Sequence, residues 1–184
     1  MRGYTLFTTA LLALASGTSS YSQEFSKESL APYIPSPEIV VDKMLEAARV
    51  KPNELVYDLG SGDGRIVIAA AQKYGARAVG VELRGDLCKS TLARIQALGL
   101  ARRVTLIHGN LLKVDLSPAD VVTLYLLTSS NERLRPNLEK YLKPGARVVS
   151  NDFEIRGWKP IDVLQIEAGG VMHNIYVYEM AMRK

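Results

Sequence analysis

The chain has 184 residues, of which 47% are hydrophobic, and its formal net charge is +4. This length suits one domain with a sizeable core and is too short for two ordinary domains. One cysteine and two histidines exclude an internal disulfide and disfavour a zinc site. The basic segment 77–113 contains no aromatic residue on which a base could stack. It is therefore typical of a solvated helix face, and it disfavours nucleic acid as a partner.

The first residues have the layout of a secretory signal peptide. Arg2 precedes an apolar stretch from Leu6 to Ala15, which is too short to span a bilayer comfortably. The sequence predicts a signal peptide or N-terminal anchor at residues 1–22, a polar linker at 23–36 and one domain at 37–184. We therefore expect a protein that is exported (periplasmic) or attached to a membrane, or a cytoplasmic protein if the leader is not used.

Apolar periodicity and turn residues predict alternating helices and strands beyond the linker. Ser36 is expected to cap a first helix that ends near Arg49. Its buried face is predicted to hold Ile39, Val40, Met44, Leu45 and Ala48. The first strand is expected in "LVYDLG", followed by a helix from about Gly64 to Tyr74 that Gly75 closes.

The pattern then repeats along the chain. Strands are expected in "ARAVGVEL", "RVTLIHG", "ADVVTLYLL" and "KPGARVVSNDF". The helix after the second strand is predicted to end at Gly99 and to bury Leu87, Thr91, Leu92, Ile95 and Leu98. A further helix is expected in "SSNERLRPNLEKYL" despite Pro136, and the tail reads as a hairpin around Gly169 and Gly170.

This order predicts an α/β fold with a doubly wound, mostly parallel seven-stranded sheet and a C-terminal antiparallel hairpin. Sheets of this Rossmann-like type bind ligands beyond the carboxyl ends of their strands. The first strand runs directly into "DLGSGDG", so we expect the ligand site there. The candidate ligand contacts in this loop are Asp58, Gly60, Ser61, Gly62, Asp63 and Gly64.

The spacing of the loop argues against a dinucleotide. The dinucleotide fingerprint is G-x-G-x-x-G, whereas Gly64 comes one residue too early for it. The carboxylates of Asp58 and Asp63 would repel a pyrophosphate and favour a ligand with an ammonium or sulfonium group. Glu82, at the end of the second strand, could accept both hydroxyls of a ribose. Asn110 follows the third strand, where its amide could contact adenine, and together these features indicate S-adenosylmethionine.

The runs "VYDLGSGDGRIVIAAA" and "AVGVEL" resemble the signature of class I S-adenosylmethionine-dependent methyltransferases. "YIPSP" and "NDFEIRGWKP" narrow the resemblance to archaeal broad-specificity protein-lysine methyltransferases, to the animal mitochondrial lysine methyltransferases, and to bacterial methyltransferases with export-like leaders. The resemblance implies that Asp58 and the glycine loop hold the methionine end of the cofactor and that Glu82 holds the ribose. It places Asn110 where many relatives carry an aspartate against adenine.

The acceptor side of the site is expected beyond the fourth and fifth strands. Tyr125, Asp152 and Phe153 are the candidate catalytic residues there. "TLYLL" differs from the Asn/Asp-Pro-Pro-Tyr/Phe run of DNA adenine methyltransferases, so that activity is disfavoured. We expect a protein-lysine N-methyltransferase that uses no metal. The alternatives are a small-molecule N- or O-methyltransferase, and a non-catalytic module that binds S-adenosylmethionine or a related nucleoside.

Overall fold

The computed structural model describes residues 30–181, so the predicted leader and part of the predicted linker lie outside the described residues. The described chain forms one seven-stranded sheet flanked by four α-helices. Between residues 30 and 181, no helix has the length and apolar character needed to cross a membrane. The elements follow in this order: α1 (Glu38–Ala47), β1 (Leu55–Leu59), α2 (Arg65–Tyr74), β2 (Arg77–Glu82), α3 (Gly85–Ala97), β3 (Val104–His108), β4 (Val121–Leu124), α4 (Thr128–Tyr141), β5 (Arg147–Asn151), β6 (Asp162–Ala168) and β7 (Val171–Glu179).

The strand order is β3-β2-β1-β4-β5-β7-β6. Strands β1 to β5 pair in parallel, and β7 runs antiparallel to both β5 and β6. This arrangement confirms the predicted doubly wound sheet and its C-terminal hairpin, whose turn residues Gly169 and Gly170 both have positive φ. The chain reverses its winding direction between β1 and β4, so the carboxyl ends of these two strands flank the expected ligand crevice.

Buried apolar side chains cover both faces of the sheet, as the alternation along its strands requires. In β1, Val56 packs into the cluster that contains α1 and α2, whereas Tyr57 and Leu59 pack into the cluster that contains α4. Every residue of β4 is buried, so this strand is covered on both faces of the sheet. The sheet is therefore a rigid central layer that holds the loops at its carboxyl edge.

Several sequence predictions are wrong in detail. Helix α1 starts one residue later than expected, and the side chain of Ser36 does not cap it, because Pro37 occupies the N-cap position. Ile39, Leu92 and Leu98, predicted to be buried, are exposed, since single apolar side chains lie at the edge of each helix face. Strand β4 ends at Leu124, where its pairing with Leu59 of β1 and Ser150 of β5 stops.

Candidate functional site

A cavity of about 390 Å³ lies at the carboxyl ends of β1, β2, β3 and β4. Its volume falls in the range of roughly 300–1,000 Å³ that is typical of ligand pockets. All of the predicted cofactor residues line this cavity except Gly64, which occupies the N-cap position of α2. Of the predicted acceptor residues, Tyr125 lines it as well, whereas Asp152 and Phe153 do not. The predicted residues therefore come together around one space, with the acceptor candidates at one side.

The glycine-rich loop is fixed by the elements around it. The backbone N–H groups of Gly60 and Ser61 donate to the carbonyl of Val81 over 2.8 and 3.0 Å. The three glycines have positive φ, and added Cβ atoms at two of them would meet other parts of the chain. A Cβ on Gly64 would lie 2.4 Å from Thr91, and a Cβ on Gly62 would lie 2.6 Å from the ring of Tyr33. Glycine is therefore needed here for close packing of the chain as well as for the turn.

Asp58 is a buried carboxyl group at the base of the cavity, and its side chain accepts a 2.8 Å hydrogen bond from Thr123 Oγ1. Burial raises the pKa of Asp58 to about 7, with smaller contributions from Glu82 and Asp63 and an opposing one from Thr123. A cation in the cavity would stabilise the ionised form of this group. Asp58 is thus suited to a ligand that carries positive charge.

Asp63 does not supply the free negative charge that the sequence predicts. Its carboxylate accepts hydrogen bonds from Arg65 over 2.6 and 2.9 Å, and Arg94 lies 3.8 Å away. These guanidinium groups, chiefly the hydrogen-bonded Arg65, lower the pKa of Asp63 and neutralise its charge. The electrostatic preference for a cation therefore rests on Asp58 and Glu82, which both line the same cavity.

Glu82 and Asn110 already make contacts with the backbone. Glu82 accepts hydrogen bonds from the N–H groups of Gly62 and Arg84 over 2.7 and 2.8 Å, so both carboxylate oxygens are fixed in position. Each oxygen keeps a lone pair for a ribose hydroxyl. The Asn110 side-chain oxygen accepts from Leu112 N–H over 2.9 Å at the start of a short 3₁₀ turn. Its amide NH₂ remains as a donor, so Asn110 is suited to a ring nitrogen of adenine rather than to the adenine amine.

Residues 30–36, which the sequence analysis assigns to the linker, form one wall of the cavity. We call this segment the N-terminal strap. Its two ends are held by hydrogen bonds from Ser130 to the carbonyl of Leu30 and from Arg65 to the carbonyl of Ser36. Tyr33 lies over Gly62 in the middle of the strap. The "YIPSP" run marks this segment in the sequence. The run has no apolar periodicity, however, so its position on the fold cannot be predicted from the sequence.

Tyr125 and Phe153 form an aromatic pair on the acceptor side, with ring centroids 6.2 Å apart. Both line a small apolar pocket of about 60 Å³, together with Ala31, Pro32, Ile34, Leu126 and Leu127. Tyr125 is the predicted acceptor residue that lines both this pocket and the main cavity. Burial raises the pKa of Tyr125, and the nearby carboxylate of Asp152 raises it further. Within residues 30–181, no three His, Cys, Asp or Glu side chains cluster as a potential metal site.

This fold and cavity define a class of protein that binds a cationic nucleoside at the carboxyl edge of a doubly wound sheet. Residues 58–162 match the family model described as the ANTKMT methyltransferase domain. A protein-lysine N-methyltransferase from Saccharolobus islandicus is 49% identical over 154 residues, which cover 83% of this chain and 96% of that relative. The chain belongs to the ANTKMT methyltransferase domain family and is an S-adenosylmethionine-dependent methyltransferase.

Of two further similar proteins, one is a lysine methyltransferase and the other an RNA methyltransferase. The adenine nucleotide translocase lysine N-methyltransferase of Mus musculus is 38% identical over 72% of this chain, which spans 58% of that longer protein. A solved structure of an RNA methyltransferase from Salinibacter ruber, in complex with S-adenosyl-L-homocysteine, is 44% identical with a TM-score of 0.76. It covers 82% of this chain and 96% of its own. The sequence-based prediction of the cofactor is thus confirmed.

Proposed function

We propose that this protein transfers the methyl group of S-adenosylmethionine to lysine amines of proteins. The observation that carries the proposal is the 49% identity to a protein-lysine N-methyltransferase over 96% of that relative's length. The open apolar rim of the acceptor side supports it. Ile34 and Leu127, which line the small pocket, are 57% and 40% exposed. An exposed rim of this kind leaves room for a protein surface to approach.

In this proposal, the cofactor residues divide the ligand among them. Asp58 and the glycine loop hold the methionine end, the Glu82 carboxylate accepts from the ribose hydroxyls, and the Asn110 amide contacts the adenine. Bound S-adenosylmethionine supplies an electrophilic methyl carbon on a sulfonium. The acceptor residues Tyr125, Asp152 and Phe153 hold the lysine side chain on the other side of that carbon. The protein therefore acts mainly by orienting two reactants for an in-line displacement.

The acceptor amine must also lose a proton before it can attack. A lysine pKa near 10.4 makes this cost roughly 4–5 kcal/mol at pH 7 in water. The aromatic walls of Tyr125 and Phe153 desolvate the amine and lower that cost, because burial disfavours the charged form. The same walls exclude water from the methyl group. Both effects need the aromatic pair to be in contact with the lysine stem.

Incubation with labelled S-adenosylmethionine and a cell lysate tests this function. We expect label in protein, recovered as Nε-methyl-lysine after acid hydrolysis, and resistant to nuclease. The resemblance to the Salinibacter ruber RNA methyltransferase makes RNA the second candidate acceptor. Label that nuclease removes would establish RNA instead, and label confined to small molecules would establish a metabolite. Cofactor binding with no product in any fraction would indicate a non-catalytic binding module.

We also propose that residues 1–22 export the protein or attach it to a membrane. The support is the layout of Arg2 followed by the apolar stretch and small residues. Mass spectrometry of the mature N-terminus, combined with cell fractionation, tests this proposal. A cleaved N-terminus or recovery in the membrane fraction is expected. An intact Met1 in the cytosolic fraction would contradict it and would indicate that the leader is not used.

A further inference from the structure

Asp152 is held in an unusual backbone conformation just after β5. Its φ is +59°, a left-handed value that aspartate adopts more readily than most residues. Strand β7 supplies two donors to its carboxylate. His173 Nδ1 lies 2.9 Å from Oδ2, and the N–H of Asn174 donates to Oδ1 over 3.0 Å. Strand β7 of the C-terminal hairpin therefore fixes the position of the Asp152 carboxylate.

The hydrogen bond between Asp152 and His173 indicates which ring nitrogen of His173 carries a hydrogen. An ionised carboxylate can only accept, so Nδ1 of His173 carries a hydrogen in this contact. The imidazole is itself buried, with 7% of the residue exposed, and so has little freedom to turn. Asp152 is more accessible, because 23% of its side chain is exposed. The buried histidine thus orients a carboxylate that remains partly exposed.

Asp152 in turn acts on Tyr125. The ring of Tyr125 lies 6.2 Å from the ring of Phe153, the residue after Asp152, and the Asp152 carboxylate raises the pKa of the Tyr125 hydroxyl. A hydroxyl whose proton points to a carboxylate presents its oxygen lone pairs on the other side. Tyr125 lines both the cofactor cavity and the small apolar pocket, so its oxygen is suited to meet an amine that passes from one to the other.

We propose that His173 is a positioning residue, which fixes Asp152 and through it the hydroxyl of Tyr125 that orients the acceptor amine. This inference rests on the proposed transfer to lysine. The amine nitrogen forms a bond to the methyl carbon while the carbon–sulfur bond breaks, and the electron pair of that bond stays on sulfur. The proton left on nitrogen passes to water. His173, Asp152 and Tyr125 keep their protonation states and direct the approach of the amine.

Two substitutions at the same position test the inference. His173→Asn keeps a side-chain N–H at the position of Nδ1, whereas His173→Leu fills the space without a donor. Initial rates are measured with labelled S-adenosylmethionine and increasing concentrations of total lysate protein, and Nε-methyl-lysine is counted after hydrolysis. We expect His173→Leu to lower kcat by about tenfold or more, since small misplacements of reactants reduce rates strongly. His173→Asn should keep at least about half of kcat, and the KM for the cofactor should stay within about twofold in both.

A purely structural role of His173 would give a different result. It would change thermal stability and the cofactor KM together, and His173→Asn would not rescue turnover. Equal kcat values for His173→Leu and the wild type would also overturn the inference while leaving lysine transfer intact. Absence of Nε-methyl-lysine with the wild type itself would overturn the proposed function and the inference with it. If His173→Leu does not fold, Asp152→Asn provides the second variant, with the same expected loss of kcat.

Discussion

At the scale of single residues, the carboxyl group of Asp58 makes the stability of the free protein depend on pH. Burial raises its pKa to about 7 in the folded chain, whereas the pKa of an aspartate in an unfolded chain is about 3.9. The folded protein therefore binds this proton more tightly than the unfolded chain does. Between about pH 4 and pH 7 stability must fall as the pH rises, by about 4 kcal/mol at most.

Asp58→Asn removes this dependence and keeps an acceptor for Thr123. We expect the difference in free energy of unfolding between the variant and the wild type to grow by about 2–3 kcal/mol from pH 5 to pH 8. Urea unfolding of both proteins without cofactor, at several pH values, measures it. Taking the difference cancels the titration of the other carboxyl groups. Parallel curves for the two proteins would show that Asp58 is ionised in the free protein.

Binding of S-adenosylmethionine should show the opposite dependence on pH. A cation near Asp58 favours its ionised form, so below pH 7 binding must first remove the proton. We expect the affinity of the wild type to rise about tenfold from pH 6 to pH 8. Calorimetry checks this, and Asp58→Asn serves as the control for titration of the ligand itself. An identical slope in the variant would rule out Asp58 as the linked group.

Residues of the candidate site can be predicted from the sequence where they lie at the ends of predicted strands. Contacts between segments that are distant in sequence cannot be predicted in this way. Asp58 and Glu82 end neighbouring parallel strands, so their shared position follows from the strand assignments alone. The approach of Arg94 to Asp63 depends on how α3 packs against the loop, and no spacing reveals it. The same holds for His173, which reaches Asp152 only because β7 pairs with β5.

At the scale of elements, the N-terminal strap and the glycine loop are fitted to each other. Gly62→Ala would place a methyl group 2.6 Å from the ring of Tyr33, so the ring and the strap must move. Gly99→Ala is a matched control, because Gly99 also has positive φ, at +69°, but an added Cβ there meets nothing within 4 Å. Both variants should lose about 1 kcal/mol of stability from backbone strain. The control isolates the effect of the contact with Tyr33.

We expect only Gly62→Ala to weaken the binding of S-adenosyl-L-homocysteine, by several-fold, in a fluorescence or calorimetric titration. The loss should be smaller when Tyr33→Ala is already present, because residues in contact give non-additive effects. Additive losses would mean that the loop itself, rather than its contact with the strap, accounts for the weaker binding.

Arg147 connects the start of β5 to the turn after α1, at the opposite edge of the sheet from the cavity. Its guanidinium donates to the carbonyls of Ala48 and Arg49 over 2.8 and 3.0 Å, and to Glu54 over 2.6 Å. Arg147→Met removes the donor for these acceptors, of which the carbonyl of Ala48 is buried, and we expect a loss of about 3 kcal/mol. The exposed Arg102→Met should lose less than about 0.5 kcal/mol. Chemical unfolding measures both, and cofactor affinity should be unchanged in the two variants.

The boundaries of the elements were harder to predict than their existence. The predicted fourth strand is the nine-residue run "ADVVTLYLL", yet pairing with β1 and β5 stops at Leu124, and the next residues turn to line the cavity. Pro136 lies inside α4, as expected, without ending the helix. In each case the hydrophobic pattern identifies the element, and partners distant in sequence decide where it stops.

At the scale of the whole molecule, the order of strands and helices was sufficient to predict the sheet. Crossovers between parallel strands are almost always right-handed in proteins, so the alternation leaves few topologies to consider. The two glycines before β7 then require that the last strand runs antiparallel. The order of strands and helices does not predict the position of a segment without regular structure, such as residues 30–36. That segment nevertheless lines the cavity, although it precedes the domain boundary predicted at residue 37.

The position of this boundary can be tested by truncation. A chain that starts at Leu30 keeps the whole strap, whereas a chain that starts at Pro37 keeps α1 and loses one wall of the cavity. Both should fold, because every buried residue of the two core clusters except Leu30 lies beyond residue 37. We expect the shorter chain to bind S-adenosyl-L-homocysteine about tenfold more weakly, a loss of ~1.4 kcal/mol. Calorimetry on the two purified chains measures this difference. Equal affinities would show that the strap does not contact the cofactor, and would restore residue 37 as the start of the binding unit.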